Sequence, residues 1–122
     1  FEGILSQTKL IELLLNSNIY VHPAYIENSS NSICEAQILG LPIIATNVGG
    51  TSTLIQHEKN GILVTPNDPY NLAAYICKII RKPQFAQELS KNAIETAEKR
   101  HNKESIKQVL IDIYSQILDE KK

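Results

Sequence analysis

Three short apolar runs, at 19–22, 42–46 and 61–64, each stand between segments with helical spacing. Nothing else in the chain restricts its fold as much. Runs this short, rich in Ile and Val and bounded by Pro, Gly and Asn, read as strands buried on both faces. Strands that alternate with helices imply a parallel sheet with right-handed crossovers. The expected fold class is α/β: a partial Rossmann-like, three-layer parallel sheet with helices on both faces.

The helices announce themselves by their caps and faces. Ser6 is the expected N-cap of 7–16, where Leu10, Ile11, Leu14 and Leu15 recur at helical spacing. A helix over 33–39 closes at Gly40, and a short one is expected over 51–57. Asp68 before Pro69 starts 69–81, with Leu72, Tyr75, Ile76, Ile79 and Ile80 as its apolar face. Pro83 starts 83–99, with Phe85, Leu89, Ala93 and Ile94 inward. Asn102 caps 103–119, whose Ile106, Val109, Leu110, Ile113, Tyr114, Ile117 and Leu118 form a continuous stripe. That stripe needs a partner surface. Self-association is expected through it, or through an edge strand at 1–5.

At 122 residues the chain suffices for one domain. A net charge of −1 argues against nucleic acid or an anionic membrane surface as a main partner. Cys34 and Cys77 lie in separate expected helices without metal-type spacing, so they read as free thiols in a reducing compartment. No apolar run approaches the ~18 residues of a membrane span, and no signal-peptide pattern is present. The expected location is cytoplasmic, either free or peripheral at the inner face of a membrane. The chain opens on Phe1 and has no methionine, and is expected to be a piece of a longer protein.

In sheets of this kind ligands sit beyond the carboxyl ends of the strands. Three loops qualify: 23–32, 46–51 and 65–68. The first is polar and leads into a helix: Asn28, Ser29, Ser30, Asn31 and Ser32 precede Ile33. A helix start offers unpaired N–H groups and a positive dipole end, which together favour an anion. Glu27 and Glu35 bracket it, with seven residues between them. In the second loop Gly49 and Gly50 lack Cβ atoms, which lets backbone come close to a ligand or simply makes a turn. Ser32 and Glu35 also have the spacing of a capping box, so Glu35 can equally serve the helix end. Glu27 alone fits a solvated loop residue, His22 a satisfied structural histidine, and Cys34 a packing thiol.

Glu27-x7-Glu35, then Ala36, Gly40-Leu41-Pro42, Val48-Gly49-Gly50, Asn60-Gly61 and Asp68, resembles in order and spacing the donor-binding half of family-4-type retaining glycosyltransferases of the GT-B fold. Phe1 and Gly3 match that family's Phe-x-Gly segment. The resemblance implies that Glu35 binds a ribose and Glu27 the transferred sugar of a nucleotide-diphosphate sugar. It implies that Asn28 to Ile33, with Gly49 and Gly50, form the donor site without a metal or other cofactor. The acceptor, a glycan or a lipid-linked sugar, would sit on an N-terminal domain absent from this chain, which is then the C-terminal portion of the nucleotide-sugar-binding domain. The chain departs from the pattern in two places. Asn28-Ser29-Ser30 stand where the family carries glycines and an aromatic, and Thr53 stands where it carries a glutamate.

The charge map points the same way. No Lys or Arg occurs between Lys9 and Lys59, while Glu12, Glu27, Glu35 and Glu58 do. A departing diphosphate develops negative charge that preorganised cations usually meet. The resemblance implies an Arg and a Lys from upstream of Phe1, so this chain alone is expected to be inactive. Two other classes share these residues. A GT-B-fold nucleotide-sugar epimerase would use the same donor half-site. A non-catalytic α/β module that binds a nucleotide or a protein would use Glu35 only as a cap, and no nucleotide would then stabilise it through Glu35.

Overall fold

The computed structural model describes residues 2–120. Among the described residues nine elements follow one another: α1 (Gln7–Leu15), β1 (Tyr20–His22), α2 (Asn31–Ile38), β2 (Ile43–Thr46), α3 (Thr51–Leu54), β3 (Ile62–Val64), α4 (Pro69–Arg81), α5 (Pro83–Arg100) and α6 (Lys103–Asp119). The three strands form a parallel sheet in the order β1-β2-β3. Its register pairs His22 with Ala45 and Thr46 with Val64, so the strands end together at one edge.

Alternation along β2 sorts the core into two layers. Ile43 and Ala45 face a cluster with Leu14 of α1, Ile33 and Ala36 of α2, and Leu54 of α3. Ile44 faces the opposite cluster with Ile62, Val64, Ile79 of α4 and Leu89 of α5. Every residue of β2 is buried, as a central strand covered on both faces requires. The three-layer α/β arrangement is thus the one the alternating runs imply.

The caps anticipated for three helices are in place. Ser6, Asp68 and Asn102 accept the N–H groups of Lys9, Asn71 and Ser105. Elsewhere the structure corrects the expectation. The edge strand expected over 1–5 begins at Phe1, outside the described residues. Over 2–5 the chain is irregular: Gly3 takes φ +66°, and Ile4 is fully exposed with no strand partner. Helix α3 stops at Leu54 and not at 57, because Asn60 Oδ1 captures the N–H of Gln56 at 2.7 Å and Ile55 is extended. His57, expected at a helix end, instead bridges to Gly61. Ile11, Leu15, Ile80 and Ile94, expected on the apolar faces of their helices, are exposed, Ile11 at an open groove between α1 and α2.

A polar clamp ties α4 to the amino end of β3. His57 Nδ1 accepts the N–H of Leu63 at 3.1 Å, and its Nε2 lies 3.1 Å from the Tyr75 hydroxyl. Lys78 pairs with Glu58, and this bond holds the Glu58 carboxyl below its ordinary 4.5; burial pushes the Tyr75 hydroxyl up. At the other extreme stands α6. None of its residues is buried, and Ile106, Ile113 and Ile117 are each close to half exposed.

Candidate functional site at the carboxyl ends of the strands

The common end point of the strands gathers two of the three predicted loops into one contact. As the chain leaves β1, the hydroxyl of Thr46, the last residue of β2, donates to Ala24 O and, at 3.4 Å, to His22 O. Further along, the N–H of Gly50 donates to Glu27 O at 3.1 Å. A Cβ on Gly49 would lie 1.9 Å from Glu27 O, and one on Gly50 1.8 Å from Asn28 O. The two glycines therefore let one loop lie against the other. Their closeness is to the Glu27-Asn28 backbone, and Gly49 in addition takes φ +49°, which a side chain disfavours.

The loop held in this way carries a half-buried carboxylate. Glu27 Oε2 lies 3.0 Å from His22 Nε2, with the two side chains 21% and 17% exposed. His22 Nδ1 in turn lies 3.3 Å from the Tyr20 hydroxyl, and the two rings stack at 6.2 Å between centroids. The histidine is satisfied, as its sequence setting suggests, but its partner is the first motif glutamate.

Beyond Glu27, Asn28 and Ser29 are exposed and lead to the start of α2. Here Ser30, buried, is the N-cap: its hydroxyl accepts the N–H of Ile33 at 3.3 Å and lies 2.9 Å from the Ser32 hydroxyl. Helix α2 accordingly begins at Asn31, two residues before the expected start. Ile33, completely buried in the core, anchors this end. The N–H groups of Asn31 and Ser32, in the first turn, have no acceptor within the helix and stand at its positive end.

The cap at Ser30 removes the capping-box reading of Glu35. With Ser30 as N-cap, the position that closes a box is Ile33, and Glu35 lies in the second turn. Its side chain is exposed on the α1 side, lining a groove of about 140 Å³ with Gln7, Leu10 and Ile38. Glu27 thus precedes the α2 start and is held to β1, whereas Glu35 stands one turn inside the helix beside α1. The third loop, 65–68, joins Pro23, Tyr25 and Thr46 around a cavity of about 390 Å³ on the α4 side of the sheet end.

No cation lies in either site loop of the sequence, but α5 sends one nearby. The Arg100 guanidinium donates to Thr53 O, at the end of the segment that follows Gly49-Gly50. These residues are 47 positions apart, and only packing of α5 along the domain reveals the pairing.

Comparison with known proteins gives this geometry a context. The family model for glycosyl transferases group 1 matches residues 1–100. D-inositol 3-phosphate glycosyltransferase 2 of Catenulispora acidiphila is 29% identical over 114 residues, covering 93% of this chain and 26% of the relative. Among solved structures, sucrose-phosphate synthase from Thermosynechococcus elongatus is 32% identical at a TM-score of 0.83, over 98% of this chain and 30% of that one. The Anabaena HepE protein in complex with UDP-glucose is 28% identical at a TM-score of 0.76, over 86% of this chain and 29% of that one. The chain spans about a quarter to a third of the length of these relatives.

Proposed function

The chain belongs to the glycosyl transferases group 1 family, and from that premise we propose that it is the donor-binding portion of an enzyme that transfers a sugar from a nucleoside-diphosphate sugar. One observation carries this reading: a helix start with free N–H groups is flanked by Glu27 and Glu35 and closed by the Gly49-Gly50 loop, all at the carboxyl edge of a parallel sheet. That arrangement suits a ligand with an anionic middle and a diol at each end. The diphosphate lies at the N–H groups of Asn31 and Ser32, without a metal. Glu35, on the α1 side, accepts hydrogen bonds from the ribose hydroxyls, and Glu27, on the β1 side, from those of the sugar. The complex of HepE with UDP-glucose, at 28% identity, supports this class of donor.

The acceptor, a glycan or a lipid-linked sugar, binds to a domain outside these 122 residues, and transfer proceeds with retention at the anomeric carbon. The cations that meet the charge on the leaving diphosphate come from outside the chain as well. The experiment is to incubate the full-length protein with UDP- and GDP-sugars and a panel of acceptors, with release of nucleoside diphosphate as the readout. Turnover by the full-length protein, none by residues 1–122 alone, and a product of unchanged anomeric configuration are expected. Absence of turnover with every donor, or an epimerised nucleotide sugar as the product, would overturn the assignment.

A further inference from the structure

The polar network beneath Glu27 ties the loop to the end of β1. Tyr20 and His22 alternate with Val21, so both rings project from the same face of β1, where they stack with an interplanar angle of 23°. His22 ends the strand, and its carbonyl accepts from the Thr46 hydroxyl, so backbone and ring are both held. A carboxylate can only accept, so the 3.0 Å contact makes His22 Nε2 the donor and Glu27 Oε2 the acceptor. This direction is the same whether the ring is neutral or protonated. In the neutral ring, Nδ1 is left to accept from the Tyr20 hydroxyl at 3.3 Å.

We propose that His22 is a positioning residue for sugar recognition: its Nε2–H holds one oxygen of Glu27 and aims the other at the hydroxyls of the donor sugar. The inference rests on the donor-site reading above. It assigns a task to a residue with no place in the motif. A carboxylate on a loop rotates about three side-chain bonds, and a fixed hydrogen bond at one oxygen removes most of that freedom before any ligand arrives. Because the strand end carries the histidine, the aim of the carboxylate is referred to the sheet and not to the loop. The network touches neither the start of α2 nor Glu35, so it acts on the sugar end of the ligand only.

Such a role separates two affinities. A nucleotide sugar meets Glu27, whereas the bare nucleoside diphosphate does not. The protein, its His22→Phe variant and its His22→Gln variant are titrated calorimetrically with UDP, UDP-glucose, GDP and GDP-mannose. His22→Phe should weaken binding of the nucleotide sugar about tenfold, with affinity for the matching diphosphate unchanged. His22→Gln, which keeps an N–H donor, should restore most of the difference. Equal weakening of sugar and diphosphate, or no change in either, would show that the histidine only supports the fold and would overturn the proposal.

Should His22→Phe not fold, the wild-type ring supplies the test through its ¹⁵N resonances. The Nε2–H signal is expected to shift on addition of the nucleotide sugar and to stay in place with the diphosphate. An identical response to both ligands contradicts the role. If the wild-type protein binds none of the four ligands, the donor-site reading itself has failed, an outcome distinct from loss of sugar discrimination.

Discussion

Gly49→Ala is expected to lower folding stability by about 3 kcal/mol or more and to push the 24–28 loop out of place. The added Cβ would sit 1.9 Å from Glu27 O, a backbone atom that cannot swing aside as a flexible side chain could. The φ of +49° adds a conformational penalty of about 1 kcal/mol for a residue with a side chain. Two controls divide the effect. Gly50→Ala meets the same kind of collision, 1.8 Å from Asn28 O, at an ordinary φ of −81°, so it isolates the steric part. Gly3→Ala has φ +66° but nothing within 4 Å, and should cost about 1 kcal/mol at most. Urea unfolding of the three variants checks the order. Losses at Gly49 and Gly50 no larger than at Gly3 would mean that the two loops do not lie against each other.

Glu35→Ala has the largest expected effect on binding. The variant should weaken the affinity for a nucleoside diphosphate by about ten- to a hundredfold, as loss of hydrogen bonds to a charged group implies. Its folding stability should change by no more than about 0.5 kcal/mol. The second expectation comes directly from the structure. Glu35 is exposed in the second turn of α2, and Ser30 performs the capping. Ser30→Ala should give the opposite pattern in stability, a loss of about 1 kcal/mol from the missing cap. Calorimetric titration and denaturant unfolding of both variants separate the roles. A Glu35→Ala protein as destabilised as Ser30→Ala, with nucleotide affinity intact, would return the glutamate to the helix end.

The fold was legible in the sequence where local chemistry decides it. Short apolar runs between turn residues identified β1, β2 and β3, and Ser6, Asp68 and Asn102 fixed the starts of α1, α4 and α6. The misreadings share a cause. Ser30 and Ser32 are both good caps, and only the burial of Ser30 against the core selects it. Helix α3 ends early because Asn60 reaches back to Gln56, and Asn60 is in turn held by the hydroxyl of Thr96, a residue 36 positions away. Ile11, Leu15 and Ile80 have helical spacing, but spacing cannot say which sides of a helix a neighbour covers.

The site was legible as a set of loops and not as a network. Glycines at 49 and 50 can be read as permissive, but not that the contact they permit is with Glu27 and Asn28. His22 precedes Glu27 by five residues with a proline between, and nothing local tells that its ring turns back to that carboxylate. Pairing across the sheet edge, as between Thr46 and Ala24, follows from register and is invisible to periodicity.

The central claim is that the α2 start, Glu27, Glu35 and the Gly49-Gly50 loop make one binding surface. Amide NMR of residues 1–122, titrated with UDP, GDP and their nucleotide sugars, tests it most directly. The account predicts shifts at 27–35 and 47–51 with one of the two bases, with additional shifts at Glu27 and His22 when the sugar is present. Shifts scattered over α4 to α6, or no response to any nucleotide at millimolar concentration from residues 1–122 and from the full-length protein alike, would contradict it.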